Sequence, residues 1–416
     1  MRILFVVEHF PCISETFVLN QVTGLLDLGH DVTIYAIGKQ SGIDAHPAIS
    51  DYKLMDRTWA GINSPTSKMH RLIKAMRFFP SFFSRCGFKM FKAFDYFRHG
   101  KQAINLGFFY SCLPLIKRDT HFDIIHCHFG DKGLLALAWR EMGLITGAIS
   151  TVFHAHELAG LSDIQGRSLY APLFKSDTLL LPISKRWQQR LVGWEASSER
   201  TLVHHMGIDL EQFCFEPNIP KPNAPIKILS VGRLTEQKGF IYAIQAVARL
   251  ITMTDREVEY IIVGAGELES ELKQLVADLK ITQWVNFVGS QTQDAVHNYL
   301  KHAHIFLLPS VTAANGFQEG IPVALMEAMA IGIPVVTTNH SGIPELVEHD
   351  ISGFLAEEKE VLTLAEAMFK LLSDATLANK IAVNARAKVK KEFDIKQLNK
   401  NLEAIFNQES CKTMTP

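Results

Sequence analysis

Two glutamates form the pattern with the clearest chemical use. They enclose the segment Glu319-Gly-Ile-Pro-Val-Ala-Leu-Met-Glu327, which follows an apolar run ending at Leu308. Pro322 suits the first turn of a helix, where its missing N–H costs nothing. Gly332 and then Pro334 are expected to end this helix after about three turns.

The predicted helix is apolar on all sides except at Glu327. A buried carboxylate needs partners, so we expect hydroxyl or amide groups to face Glu327. Glu319, Gly320 and Ile321 lie where backbone N–H groups point out of a helix and favour an anion. A carboxylate fits beside a phosphate if it accepts hydrogen bonds from sugar hydroxyls. The alternative is that Glu319 only complements the helix dipole and that Glu327 lies on a solvated stripe.

Two cations follow another predicted strand, in the segment Ser230-Val-Gly-Arg-Leu-Thr-Glu-Gln-Lys-Gly239. Arg233 and Lys238 have the chemistry to clamp a diphosphate, although surface cations after a strand are common. Gly264 and Gly266 follow the next strand and would let the backbone approach a ligand closely. Each of these signals is weak when it is taken alone.

Four histidines occur as two His-x-His pairs, His126 with His128 and His154 with His156. We expect each pair to end a strand, so that its two rings share one face of the sheet and reach a cleft. Histidines that hydrogen-bond within the protein are the alternative for any single one. A zinc site is a second alternative, but the sequence contains neither Asp-x-Asp nor His-Glu-x-x-His.

Short, nearly continuous apolar runs alternate with amphipathic stretches along the whole chain. Continuous runs indicate strands buried on both faces, and therefore parallel sheets covered by helices. We expect an α/β fold with two doubly wound, Rossmann-like domains that face a cleft. The expected divisions are residues 1–208, a proline-rich linker at 209–225, residues 226–390, and a C-terminal helix and tail at 391–416. The predicted strands are Arg2–Val7, Asp31–Ile37, Asp123–His126, Thr151–His156, Thr178–Ile183, Thr201–His204, Ile226–Val231, Glu259–Val263, Trp284–Val288, His304–Leu308 and Pro334–Thr338.

The composition hides one strongly charged region. The 416 residues carry 42 basic and 43 acidic side chains, and 47% of the residues are apolar, which excludes disorder over most of the length. Residues 52–118, here called the basic aromatic segment, contain thirteen lysines and arginines, two aspartates and many phenylalanines. This pattern is typical of a segment that docks on an anionic membrane. Core packing of the aromatic side chains and binding of single-stranded nucleic acid are the alternatives.

The Arg–Lys pair, the Gly-x-Gly turn and the Glu-x7-Glu motif together resemble the retaining glycosyltransferases of family four, which have the GT-B fold. Pro11 with Ser14, Glu15 and Thr16 resembles the colanic-acid-type exopolysaccharide transferases. The resemblance implies that Arg233 and Lys238 hold the donor diphosphate and that Glu319 meets the donor sugar. It also implies that Glu327 meets the ribose, that Gly264 and Gly266 lie near the base, and that His128 lies beside the reacting centre. The remaining candidates are His126, His154, His156 and Glu157 at the acceptor, Ser14 and Thr16 in the first loop, and Gly320, Ile321 and Pro322 beside the donor.

We therefore expect a retaining hexosyltransferase that moves a sugar from a uridine or guanosine diphosphate donor to a lipid-linked saccharide in exopolysaccharide synthesis. The expected location is cytoplasmic and peripheral on the inner face of the cell membrane. Neither a metal ion nor nucleic acid is expected as a partner. A sugar-nucleotide epimerase of the same double-Rossmann plan, a metal-dependent hydrolase that uses the His-x-His pairs and a non-catalytic membrane adaptor are the alternatives.

Overall fold

The computed structural model describes residues 1–12, 16–39, 47–62, 67–95, 101–218 and 224–414. In the first half the strands are β1 (Arg2–Phe10), β2 (Asp31–Lys39), β3 (Thr58–Ala60), β4 (His121–His128), β5 (Thr146–Phe153) and β6 (Leu179–Pro182). The helices there are α1 (Thr16–Asp27), α2 (Pro47–Asp51), α3 (Lys68–Cys86), α4 (Lys101–Ile104), α5 (Gly107–Cys112), α6 (Gly130–Glu141), α7 (Ala155–Ala159), α8 (Asp163–Phe174) and α9 (Lys185–Gly193).

The second half repeats this alternation. Its strands are β7 (Ile226–Val231), β8 (Val258–Val263), β9 (Val285–Gly289), β10 (Ile305–Leu308), β11 (Val335–Thr338) and β12 (Phe354–Ala356). Its helices are α10 (Phe240–Ile251), α11 (Glu269–Asp278), α12 (Gln293–His302), α13 (Val323–Ile331), α14 (Ile343–Leu346), α15 (Val361–Ser373), α16 (Ala375–Glu392) and α17 (Ile395–Met414).

These strands form two six-stranded sheets in the orders β3-β2-β1-β4-β5-β6 and β12-β11-β10-β7-β8-β9. Every pairing within them is parallel. The strand order reverses between β1 and β4 and again between β7 and β10, and ligands bind at such points beyond the carboxyl ends of the strands. The predicted fold class, two doubly wound domains, is confirmed.

Three strand predictions need correction. The run Thr201–His204 lies beside β6 and makes one bridge, from Thr201 to Leu180, and two backbone hydrogen bonds, but it does not form a strand of the sheet. β5 ends at Phe153, one residue before His154, so the second histidine pair does not lie in a strand. β3 and β12 were not predicted, because strands of three residues are too short to show a pattern.

The last helix returns to the first domain. Leu402 and Phe406 of α17 belong to the hydrophobic core around the first sheet. Asn399 of the same helix donates a hydrogen bond to the carbonyl oxygen of Asn20, at 3.1 Å. The two segments that cross between the domains lie side by side, since Ile208 N–H bonds to Phe393 O and Ile395 N–H bonds to Ile208 O, both at 3.0 Å.

Helix α3 carries an apolar stripe on its outer surface, formed by Met69, Leu72, Ile73, Met76 and Phe83. These residues recur at helical spacing, and each is at least 40% exposed. Phe88 and Phe91, in the 3₁₀ helix Gly87–Phe94 that follows, are 79% and 54% exposed, whereas Phe82 lies in the core. Among the described helices, none is long and apolar enough to cross a membrane.

Candidate active site

Lys238 and Glu319 form an ion pair beyond the carboxyl end of the second sheet. Their Nζ and Oε2 atoms are 2.9 Å apart, and each side chain is only 15% exposed. Lys238 comes from the turn after β7, and its stem packs over Gly232, where an added Cβ would lie 3.4 Å from Lys238 Cδ. Two motifs that lie 81 residues apart therefore meet in one partly desolvated pair.

Arg233 lies in the same turn but differs from Lys238 in its surroundings. Its side chain is exposed, and no carboxylate of the described residues lies within ion-pair distance of it. A guanidinium without a protein partner retains all of its donors for a ligand. The pair of cations predicted to clamp a diphosphate therefore contains one member held by Glu319 and one that no described acid holds.

The glycines near these cations are required by close backbone packing. At Gly264, with φ of 141°, an added Cβ would lie 1.9 Å from the carbonyl oxygen of Gly232. At Gly266 it would lie 2.4 Å from the carbonyl oxygen of Leu234. The Gly-x-Gly turn therefore packs directly against the backbone of the loop that carries Arg233 and Lys238. The sequence motif had indicated a close approach to a ligand and not this contact within the protein.

The peptide before α13 is arranged differently from the prediction. Glu319 N–H donates to His340 Nε2 at 3.1 Å, so it does not point outward to an anion as we expected. The helix begins at Val323, and Pro322 is its N-cap residue. An added Cβ on Gly320 would lie 2.7 Å from Ile183 of the first domain, so this peptide packs at the domain junction. Ile321 is buried beside it.

Glu327 is the only charged residue of α13, as expected from its sequence. Burial raises its pKa from 4.5 to about 7. Among the described residues, no group donates a hydrogen bond to this carboxylate, so the protein donors that we expected are not found. An acid whose ionised form lacks a protein partner is suited to a ligand that brings hydroxyl donors.

His126 and His128 end β4 on one face of the sheet, with ring centroids 5.1 Å apart. Both are fully buried rather than open to a cleft. His126 Nδ1 lies 2.8 Å from Ser150 Oγ, and His128 Nδ1 lies 3.3 Å from His154 Nε2. Burial lowers the pKa of His126 to about 3 and also lowers that of His128, so both rings are neutral at pH 7. Their Nε2 atoms have no hydrogen-bond partner in the described protein.

The second histidine pair separates. His154 is buried and caps α7, whereas His156 lies in α7, is exposed, and stacks on Phe317 of the second domain with centroids 4.9 Å apart. Glu157 accepts the N–H of His154 at 2.7 Å, and burial raises its pKa from 4.5 to about 8. Ser14 lies outside the described residues, and Thr16 is the first residue of α1.

A second polar contact joins the domains, and sequence reasoning missed it. The carboxylate of Glu345 accepts the backbone N–H groups of Lys185 and Arg186, at 2.9 and 3.2 Å, and so caps α9 from the other domain. The Arg186 guanidinium donates to Gln318 Oε1 at 3.1 Å, one residue before Glu319. No sequence pattern links residues 160 positions apart, so only the fold reveals this contact.

The zinc alternative for the histidine pairs requires three or four ligands around one point. No group of three or more histidine, cysteine, aspartate or glutamate side chains in the described part of the chain is arranged to hold an ion. His126, His128 and His154 instead pack against Phe5, Phe17 and one another.

Comparison of the whole fold defines the class. The chain superposes on Anabaena Alr3699/HepE, crystallised with UDP and glucose, with a TM-score of 0.69 and 18% sequence identity. The match covers 98% of this chain and all of that one. The fold is therefore that of the GT-B glycosyltransferases.

Sequence comparison identifies the family. The family model described as Glycosyl transferases group 1 matches residues 215–388. The chain is 39% identical to the amylovoran biosynthesis glycosyltransferase AmsK of Erwinia amylovora, over 95% of this chain and 96% of that protein. It is 37% identical to the putative colanic acid biosynthesis glycosyltransferase WcaL of Escherichia coli K12, over 98% and 99%. A more distant relative from Escherichia coli, 27% identical over 68% of this chain and 75% of its own, is UDP-Gal:alpha-D-GlcNAc-diphosphoundecaprenol alpha-1,3-galactosyltransferase.

The chain belongs to the group 1 glycosyltransferase family. It is a glycosyltransferase of exopolysaccharide biosynthesis, as the resemblance implied. The epimerase and hydrolase alternatives find no support in these relatives.

Proposed function

We propose that the protein transfers a hexose from a nucleotide-diphosphate sugar to a lipid-linked saccharide, with retention of configuration. The observation that carries this proposal is the Lys238–Glu319 pair, which lies near the domain junction, with Arg233 in the same turn as Lys238. A cation next to a carboxylate offers one group to a diphosphate and one to sugar hydroxyls.

Each group has a proposed role in the reaction. Lys238 and Arg233 neutralise the charge that develops on the leaving diphosphate, and Glu319 accepts hydrogen bonds from the donor sugar. Glu327 accepts the ribose hydroxyls. No covalent intermediate is proposed: the leaving phosphate oxygen takes the proton of the acceptor hydroxyl as the new bond forms on the same face of the sugar. A uridine or guanosine diphosphate donor is proposed, and the UDP-Gal named for the galactosyltransferase relative supports the uridine donor.

The site assignment is tested with Lys238→Ala and Glu319→Ala. Loss of one preorganised donor typically costs about 3 kcal/mol, so turnover should fall at least about 100-fold. Lys227→Ala and Glu259→Ala are matched controls, because this exposed pair, 4.0 Å apart, lies at the amino ends of β7 and β8. A panel of nucleotide sugars, assayed with lipid extract, gives the turnover. Wild-type turnover in both site variants would refute the assignment, and a trapped glycosyl-enzyme adduct would refute the mechanism.

We also propose that a metal ion is not required, because the two cations supply the positive charge. Activity should then be unchanged after treatment with EDTA. Loss of activity that added Mg²⁺ or Mn²⁺ restores would overturn this part of the proposal. We likewise propose that His128 lies beside the reacting centre. This role requires the rings of Phe5 and Phe17, which pack against His128, to move aside.

The lipid-linked acceptor is supported by the surface of α3. An exposed apolar stripe about 20 Å long, flanked by Lys68, Arg77 and Arg85, is an unusual surface for a protein in water. Apolar burial and attraction of cations to anionic lipids act together at such a surface. The galactosyltransferase relative is named for a diphosphoundecaprenol-linked acceptor.

Vesicle sedimentation tests the membrane proposal. The double variant Met69→Glu/Met76→Glu should lose binding to phosphatidylglycerol vesicles, because it places charge in the apolar stripe. Leu362→Glu is the control, since Leu362 is 52% exposed on the other domain. Equal binding by all three proteins, or no preference for phosphatidylglycerol over phosphatidylcholine, would contradict the proposal.

A further inference from the structure

His340 lies directly behind the Glu319 peptide, at the end of β11. Its side chain has no exposed surface. On one side its Nε2 is 3.1 Å from the backbone nitrogen of Glu319, and on the other its Nδ1 is 2.6 Å from Glu358 Oε1. The ring therefore connects the backbone of Glu319, whose carboxylate is the proposed sugar-binding group, to a second acid, Glu358.

The contacts of the ring determine where its proton lies. A backbone N–H can only donate, so His340 Nε2 must present its lone pair to Glu319. The single proton of the neutral ring is then on Nδ1, where it is donated to Glu358. The tautomer of a histidine is set by the partner of its other nitrogen, and here that partner is a carboxylate.

Glu358 is itself held in place by Thr312. Its Oε2 accepts the N–H of Thr312 at 2.8 Å, and its Oε1 accepts the Thr312 hydroxyl at 3.1 Å. The same hydroxyl accepts Gln318 Nε2 at 3.0 Å, immediately before Glu319 in the chain. The carbonyl of Glu319 is fixed as well, because Ser341 Oγ donates to it at 2.6 Å.

We propose that His340 and Glu358 are positioning residues, which fix the Glu319 peptide so that its carboxylate faces Lys238 and the donor sugar. This inference rests on the role proposed above for Glu319. The side chain of Glu319 alone has several rotatable bonds, and only a fixed backbone limits where its carboxylate can lie. A displacement of about 1 Å at a reacting group can cost about 100-fold in rate.

The arrangement also makes the site sensitive to acid. A second proton on His340 would lie on Nε2 and face the N–H of Glu319, so that two donors would oppose each other. Burial lowers the pKa of His340, and Arg186 lowers it further, whereas Glu358 and Glu319 raise it. Burial raises the pKa of Glu358, but the hydrogen bonds from His340 and Thr312 outweigh this effect and leave it below its usual range. The neutral ring and the charged carboxylate are therefore both favoured at neutral pH.

The experiment compares His340→Ala and His340→Gln. Alanine removes the acceptor, and kcat should fall about 100-fold while the dissociation constant for UDP changes less than about threefold. Glutamine offers its side-chain oxygen to the Glu319 N–H and should restore at least a tenth of the wild-type kcat. His349→Ala is the matched control, because His349 also accepts a backbone N–H, from Leu355 at 3.0 Å, in the same domain. Wild-type kcat in His340→Ala, or equal loss in both His340 variants, would overturn the proposal.

Nitrogen-15 NMR of histidine-labelled protein tests the arrangement without an activity assay. The signal that disappears in His340→Gln should show a ring protonated at Nδ1 at pH 7, and Glu358→Gln should change that signal. A ring protonated at Nε2, or at both nitrogens, would refute the inference. If Glu319→Ala keeps its turnover, the proposed function fails. If Glu319→Ala loses turnover but His340→Ala keeps it, only the positioning role fails.

Discussion

Replacing Glu327 with glutamine should stabilise the protein at neutral pH and weaken nucleotide binding at the same time. Burial raises the pKa of Glu327 from 4.5 to about 7, and no described residue donates a hydrogen bond to its carboxylate. A difference of this size between folded and unfolded states corresponds to about 3 kcal/mol. Since the side chain is partly exposed, we expect about 2 kcal/mol in practice.

The direction of this stability change follows from the protonation states of Glu327. The folded protein holds the proton of Glu327 more tightly than the unfolded chain does, so the neutral acid favours folding. This contribution is fully present below pH 4.5 and is lost as the pH rises through about 7. Glutamine stays neutral throughout. Glu327→Gln should therefore be about 2 kcal/mol more stable than the wild type at pH 8 but less than about 1 kcal/mol different at pH 5.

Urea unfolding at pH 5 and pH 8 measures the stability, and calorimetry with UDP measures the binding. Ribose hydroxyls that donate to the carboxylate favour its ionised form, so the wild type should release protons on binding near pH 7. Glu327→Gln should release fewer protons and bind at least about 10-fold more weakly, since hydrogen bonds to charged groups are worth about 1.5–3 kcal/mol. Glu366→Gln, an exposed change on α15, is the control. Equal stability differences at the two pH values, or unchanged affinity, would refute the reasoning.

Three further predictions concern the frame around the site. Glu345→Gln removes the negative charge that caps α9 and should weaken this contact between the domains by about 1 kcal/mol. Small-angle X-ray scattering should then show a more open molecule. Unchanged scattering and kinetics would contradict this prediction. Gly239 has a φ of 68°, and an alanine there would place its Cβ 1.8 Å from the carbonyl oxygen of Pro309. Gly239→Ala should therefore lower the free energy of unfolding in urea by more than about 2 kcal/mol. Gly193→Ala is the control, because its Cβ would meet no atom within 4 Å and should change stability by less than about 0.5 kcal/mol. Burial lowers the pKa of His126 and His154 to about 3, so the unfolded chain binds protons more readily than the folded protein does. The free energy of unfolding should therefore fall as the pH drops below 6.5. Tryptophan fluorescence that stays constant down to pH 4 would argue against this prediction.

The sequence predicts most of the architecture for a simple reason. Strands buried on both faces must be apolar along their whole length, and that pattern needs no knowledge of the partners. Segments that follow such strands meet at one edge of a parallel sheet, but only the family resemblance implied that Lys238 and Glu319 serve one site, and the structure shows that they form an ion pair. The end of β5 was misjudged because buried residues, His154 and Ala155, continue beyond Phe153 into α7.

The rest of the site depends on contacts between distant segments. Whether His128 faces a cleft or the core depends on Phe17 and Phe5, whose rings pack over it, and its own motif does not contain that information. The cap that Glu345 provides for α9 exists only once two domains face each other. His340 is the exception, because it follows a predicted strand and the strand-end argument applied to Lys238 would have found it.

The bridge between Ile208 and the segment Phe393–Ile395 marks where a hinge between the two halves would lie. The chain crosses between the domains twice, and both crossings are held together by the same pair of hydrogen bonds. Two halves joined along one line have a natural hinge there, as in other two-domain proteins that close around a ligand. An opening about this line would separate Glu345 from α9 and Phe317 from His156. A rotation about this line would return the Lys238–Glu319 pair to the same part of the first domain each time the two halves close.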